Sequence, residues 1–237
     1  MKIEVYLVHW QEKDIMPLVI KHHQEYADRI IILDNHSKDG SVEIAKSMGC
    51  EVIQFGTSFF DDFENLTVKN NCFQNSTADW VVISDFDEVL FSPNINVRKF
   101  LEDAKEIGHT IIKTIGWQIM SDEMPKESLT EILNGFEFSN YAKNIVFNPQ
   151  AISEINFNPG SHRCDPKGDV LWSNDFLYVL HYKHIGGLER TIKRYKEYQP
   201  RMSKNNRTKG WGSHYNRTLN SLRQEWIERV LKSKPLI

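Results

Sequence analysis

Little in this sequence suits an oxidising compartment or a membrane interior. Cysteine is scarce: Cys50, Cys72 and Cys164 are the whole complement in 237 residues. Three is an odd number and their spacing matches no metal site, which argues against a disulfide framework and against a thiolate zinc centre. An apolar run of about 18 residues, the minimum for a membrane-spanning helix, is missing. So is the leader of a secreted protein, because Met1 runs straight into a strand pattern. These absences lead us to expect a cytoplasmic protein. No internal repeat, low-complexity tract or linker interrupts the chain. Acidic residues are sparse at one end: residues 181–237 hold 14 Lys and Arg against 4 Asp and Glu. Residues 1–180 carry the opposite bias, 15 against 28, which the formal net charge of −3 conceals. An acidic front and a basic tail suit a site that takes a metal together with an anionic ligand. What is present in ordinary amounts, 40% hydrophobic and 26% charged residues, describes a soluble globule large enough to bury a core.

The informative stretch is Trp80-Val-Val-Ile-Ser-Asp85-Phe-Asp87-Glu88. Trp80 to Ile83 has the length and β-branched composition of a fully buried strand. It delivers three carboxylates within four residues, Asp85, Asp87 and Glu88. In open α/β sheets ligands bind beyond the carboxyl ends of the strands, so these acids sit where chemistry is done. Clustered carboxylates repel one another, and a hard divalent cation relieves that repulsion.

In chain order, Ile3 to Val8 reads as a buried strand, followed by a helix capped by Asp14 and running to about Tyr26, with Pro17 in its first turn. Ile30 to Leu33 is the second strand, Asp34 to Ser41 a turn-rich loop, Val42 to Met48 a helix and Glu51 to Phe55 a third strand. This alternation predicts a parallel sheet with right-handed crossovers. Residues 65–76 are expected to be helical before the acidic strand. Beyond Phe91, Asn94 or Asn96 caps a helix through about Ile107, and Thr110 to Ile115 is a strand. Residues 116–140 are aromatic without a clear period and read as a partly covered loop. Ile145 to Phe147 and Leu177 to Tyr182 follow as strands. Glu189 to Tyr198 and Leu219 to Val230 are amphipathic helices, the second with Leu219, Leu222, Trp226 and Val230 on one side.

Three motifs carry a family resemblance. Val8-His-Trp-Gln11-Glu12, the loop Asp34-Asn-His-Ser-Lys-Asp39-Gly-Ser41 and Asp85-Phe-Asp87-Glu88 resemble, in order and on the right strand ends, a GT-A glycosyltransferase of the family-2-like and family-92-like branch. Gln11 stands where that branch usually has Asn. The likeness covers residues 1–91, weakens through the middle and returns at His181-Tyr182. It implies an α/β GT-A fold, with a mostly parallel central sheet flanked by helices. Residues 1–185 would form the glycosyltransferase domain, 1–91 its nucleotide-binding half and 92–185 its acceptor half. Residues 186–237 would be a basic helical extension packed on it.

The resemblance also implies transfer of a sugar from a nucleotide-diphosphate sugar, UDP-sugar favoured, to a hydroxyl of a glycan or lipid-linked glycan acceptor in polysaccharide or glycoconjugate synthesis. No nucleic-acid partner is expected. Negative charge builds on the β-phosphate as the sugar leaves, and Mn²⁺ or Mg²⁺ would stabilise it. Asp87 is the first choice of metal ligand, and His181 either a further ligand or a core histidine. Asp85 would contact ribose or bridge through water. Glu12, Asp34 and Asp39 would form the nucleoside pocket, with Asp39 equally explained as a helix cap. Lys69 would meet a phosphate. Lys183, Lys193, Arg194, Arg201, Lys204 and Arg207 offer diphosphate contacts or a lid, and Gly210-Trp211-Gly212 with His214-Tyr215 a flap. Inversion needs a general base. Asp122 and Glu123 lie in the acceptor-side stretch, but His162 and Asp165 are the preferred candidates. Two alternatives remain: a haloacid-dehalogenase-like phosphatase using Asp85 and Asp87, and a non-catalytic GT-A-like binding module. The C-terminal helix either packs on the domain or holds the enzyme peripherally at the inner membrane face.

Overall fold

The apolar runs become strands, and the polar turns between them helix starts, in the computed structural model, which describes residues 1–237. The first half comprises β1 (Ile3–His9), α1 (Met16–Gln24), β2 (Arg29–Asp34), α2 (Ser41–Ser47), β3 (Glu51–Gln54), α3 (Asp62–Asn71), β4 (Trp80–Asp85) and β5 (Glu88–Phe91). There follow α4 (Val97–Ile107), β6 (Ile111–Met120), β7 (Asn134–Glu137), β8 (Val146–Phe147), β9 (Ile152–Glu154), β10 (Lys167–Gly168) and β11 (Trp172–His184). The tail adds α5 (Gly187–Arg201), α6 (Lys204–Lys209), α7 (Leu219–Lys232) and β12 (Lys234–Pro235).

The main sheet runs β12-β7-β6-β8-β4-β1-β2-β3. Strands β1 to β4 are mutually parallel where they pair, as the alternation requires. β11 lies along the other edge of β6, parallel to it, and carries β5 antiparallel on its far side. Both faces of the parallel half are buried. Val5 and Leu7 pack with α1 and α4, while Tyr6, Ile31 and Ile83 pack on the opposite face with Phe73. The acid motif therefore sits on the fourth strand of a doubly covered sheet. A phosphatase of the dehalogenase type carries that motif on its first strand, so that alternative fails on topology.

Several boundaries differ from the sequence reading. Asp14 is exposed and caps nothing: α1 starts at Met16, and the amides of Ile15 and Met16 donate to the Glu12 carbonyl instead. The helix expected at 65–76 spans Asp62–Asn71, because Asp61 Oδ1 accepts from the amides of Phe63 (2.8 Å) and Glu64 (3.3 Å). Asn96, rather than Asn94, caps α4. The stretch 116–140 is not a loop throughout. β6 continues to Met120, and residues 134–137 pair with it. Gly116 lets this happen, since a Cβ there would lie 2.3 Å from the Tyr141 carbonyl carbon. In α7 the structure divides the expected apolar side: Leu222 and Trp226 are buried, Leu219 and Val230 exposed. No helix is long and apolar enough to cross a membrane.

Candidate active site

The carboxyl ends of β1, β4 and β11, with α3 and α5, enclose a cleft of about 360 Å³. Its floor is the acid turn. Asp85 ends β4 between two buried lysines: Lys69 Nζ donates to Oδ1 at 2.7 Å and Lys143 Nζ to Oδ2 at 2.8 Å. Burial opposes the charged form, yet Lys143 and Lys69 together hold the Asp85 carboxyl well below the usual carboxylate range. Lys143, 4% exposed, also pairs with Glu88 Oε1 at 2.6 Å. One ammonium shared by two carboxylates cannot fully offset burial, and Glu88 is pushed up to about 7.

Asp87 faces the cleft and has no lysine of its own. Burial and then repulsion from Asp85 raise its carboxyl, against the pull of Lys183, Lys143 and Arg194. Opposite it, His181 Nε2 lies 3.5 Å from Asp87 Oδ2. The far nitrogen, Nδ1, meets Gln118 Oε1 at 2.8 Å. Gln118 Nε2 donates to the carbonyls of His181 (2.9 Å) and Ile119 (2.8 Å), so the amide can point only its oxygen at the ring. The hydrogen-bond network thus assigns the proton to Nδ1 and leaves the Nε2 lone pair aimed at Asp87. Burial, with Lys183 and Lys143 nearby, pushes the imidazole well below its ordinary value and keeps it neutral. The Tyr141 ring covers it at 4.0 Å.

The other end of the cleft is built by α5. Glu12, buried beyond β1, accepts from Arg194 Nη2 and, at 3.4 Å, from Arg190 Nη2. The Arg194 guanidinium lies over Tyr198 (5.0 Å) and Trp10 (5.4 Å), and that of Arg201 lies 3.7 Å over Trp10 while donating to Asn35 Oδ1. Tyr215 stacks on Tyr198 at 4.7 Å and accepts from Lys183 Nζ at 3.3 Å.

The structure brings together Glu12, Lys69, Asp85, Asp87, His162 and His181 around this cleft. Lys69 is committed to Asp85 and to Ser161 Oγ (3.2 Å) rather than standing free for a phosphate. His162 Nδ1 donates to the Asn140 carbonyl. Three expected residues lie elsewhere. Asp34 is sealed beneath the loop it was expected to open, its carboxylate meeting His9 Nδ1 (3.0 Å) and the Ser37 amide (3.1 Å). Asp39 is spent on the amides of Lys13 (3.0 Å) and Ser41 (3.1 Å), shaping the turn before α2, whose N-cap is Gly40 with no side-chain cap. Asp165 is 77% exposed and pairs with Lys167, outside the cleft. Of the tail cations, Lys183, Arg194 and Arg201 line the cleft; Lys193, Lys204 and Arg207 do not. The sequence reading missed Gln118, Lys143 and Arg190. Arg190 stands four residues before Arg194, a spacing that puts both on one helix face and was legible. Lys143 and Gln118 have no local signature.

Asp87 and His181 are the convergent donors, and the described residues form no group of three or more protein ligands. That donor set fits a hard cation that completes its shell with oxygens of a bound ligand. Residues 10–158 match the family described as glycosyl transferase family 2. A TPR repeat-containing protein of Synechococcus elongatus is 24% identical over 103 residues, 43% of this chain, and the match spans a quarter of that relative's length. Among solved structures, the chain is similar to mannosyl-3-phosphoglycerate synthase from Rubrobacter xylanophilus (18% identity, 49% of this chain and 40% of that one, TM-score 0.36). A second is glucosyl-3-phosphoglycerate synthase from Mycobacterium tuberculosis, in complex with Mn²⁺, UDP and glucosyl-3-phosphoglycerate (19%, 48% and 44%, TM-score 0.34). A third is S. aureus TarS (11%, 97% and 43%, TM-score 0.48). The family match covers well over half of the chain: the protein belongs to glycosyl transferase family 2.

Proposed function

We propose that the enzyme uses a divalent cation, Mn²⁺ or Mg²⁺, held by Asp87 and His181, to bind a nucleotide-diphosphate sugar, UDP-sugar favoured, and transfers the sugar with inversion to a glycan or lipid-linked glycan hydroxyl. One observation carries this reading. A neutral imidazole lone pair and a carboxylate converge to 3.5 Å in a cleft, with the imidazole's other nitrogen locked by Gln118. Two electron-rich groups so placed repel unless a proton or a metal cation lies between them, and the locked far nitrogen is the supporting bond expected of a ligating histidine. When bound, the cation would stabilise charge on the departing diphosphate.

The chain's own groups do the rest. Lys143 and Lys69 neutralise Asp85, leaving Asp87 as the open carboxylate of the motif. Trp10, under the Arg194 and Arg201 guanidiniums, offers a flat surface for a base, with Asn35 beside it. Lys183, which forms no ion pair with a carboxylate, faces the diphosphate position from beneath Tyr215. His162 is the general base of this scheme. Its Nδ1–H is engaged by Asn140, which leaves Nε2 to accept the acceptor's proton, and burial followed by the Lys143 charge lowers its pKa and keeps it neutral.

The test is ligand-induced stabilisation. UDP with Mn²⁺ at about 100 times its Kd should stabilise the fold by about 2.7 kcal/mol. For a domain of this size that is about 5–10 °C in Tm. Asp87→Ala should retain the unliganded Tm and lose the shift, and EDTA should abolish turnover of the wild type. Turnover that survives excess EDTA would sink the metal assignment, and indifference to every nucleoside diphosphate the donor assignment.

A further inference from the structure

A second cavity, of about 350 Å³, opens between α4 and the amino-terminal half of β11. Phe176 and Tyr178 stand two residues apart on β11 and so share a face, whereas His181 points from the opposite one. The cavity is therefore separate from the catalytic cleft, and the strand between Tyr178 and His181 covers roughly 10 Å. Phe176 is 45% exposed, the last of three exposed residues, 174–176, in the first half of β11. Its ring meets that of Tyr178 edge-on at 5.6 Å, and Phe100 of α4 lines the cavity with them.

The polar lining is as informative as the aromatic one. His109 is 7% exposed and lines the cavity, and its imidazole makes no hydrogen bond within the protein. Its ring nitrogens are not sealed off, so on the cavity wall they stay open to the hydroxyls of a ligand. Asp175 also lines the cavity, with its carboxylate unpaired, while Asp103 is partly engaged by Lys99 at 2.6 Å. Flat aromatic faces beside unpaired acceptors and an imidazole match a pyranose ring, which offers axial C–H groups to the one and hydroxyls to the other. No lysine or arginine lines the cavity, which disfavours phosphorylated or carboxylated sugars.

We propose that this cavity is a non-catalytic saccharide-binding site that takes uncharged pyranose units of a glycan chain, with Phe176 and Tyr178 as the stacking platform and His109 and Asp175 as hydroxyl partners. It depends on neither the donor nor the metal, so binding can be read without turnover.

Calorimetry and saturation-transfer NMR on the full chain, with maltohexaose, cellohexaose and chitohexaose as probes, supply the test. At least one hexaose should bind, and UDP with Mn²⁺ should not displace it. Phe176→Ala removes an exposed ring and should weaken binding about tenfold with Tm unchanged. His109→Ala should also weaken it, with UDP affinity as in wild type. Binding of none of the three overturns the site. So does a hexaose that UDP displaces or that Phe176→Ala leaves untouched, since it then occupies the catalytic cleft. Tighter binding of tetramethylammonium than of any hexaose would make the cavity a cation cage and would equally remove the saccharide assignment.

Discussion

Gln118 decides which nitrogen of His181 faces the cleft, because its amide is pinned by two carbonyls and has only its oxygen to offer. If His181 is a ligand, Gln118→Leu should lower Mn²⁺ affinity in the presence of UDP about 10–100-fold, measured by titration, although Gln118 touches no substrate. Unchanged affinity would return His181 to the core. Lys143 presents the opposite case, a buried cation shared by two carboxylates. Lys143→Met leaves Glu88 unpaired and Asp85 with Lys69 alone, and should cost about 3 kcal/mol in urea unfolding, with part of it restored by adding Glu88→Gln. A loss below about 1 kcal/mol would mean that solvent already screens the pair.

Glu4 marks how β1 is tied to its neighbours. Burial disfavours its charge, but hydrogen bonds from Lys2, Ser76 and Tyr6 hold it down at about 2. A lowered carboxyl contributes stability above its unfolded pKa of about 4.3 and loses it as pH falls towards 2. Glu4→Gln should therefore flatten the decline in stability between about pH 4.5 and 2; an unchanged slope would place the acid-sensitive groups elsewhere. The elements of the first half were legible because their signals are local, an apolar run followed by turn residues, as in Ile30–Leu33 and Asp34–Ser41. The second half of β6 was not, because residues 116–140 are aromatic without a clear period, and only the structure shows the backbone of Tyr141 pressed against Gly116. The site was legible to the same extent. Acids at strand ends announce themselves, whereas Lys143 reaches Asp85 across 58 residues of sequence. Asp34 and Asp39 misled because loop chemistry that shapes a site looks, in one dimension, like chemistry that lines it.

Across the whole molecule, residues 186–237 are laced into the domain. Arg190 and Arg194 neutralise Glu12, and β12 extends the main sheet beside β7. The outer side of α7 exposes Leu219, Ile227, Val230 and Leu231. With Arg223 and Lys232 on the same helix, this side suits contact with anionic lipid. Phosphatidylserine vesicles should co-sediment the protein at low salt and release it at high salt; protein left in the supernatant at low salt would remove membrane contact from the reading. The placing of β11 has a further consequence, during synthesis. Its first residue, Trp172, pairs with Ile111 of β6 just after Leu171 bonds Thr110 across 61 residues of sequence, and further along it provides the long edge against which β5 and β6 close. Until the ribosome has released that strand, β5 has no partner and one edge of β6 stays bare, so the nascent chain carries an adhesive flank that a chaperone, or a long pause, would have to guard.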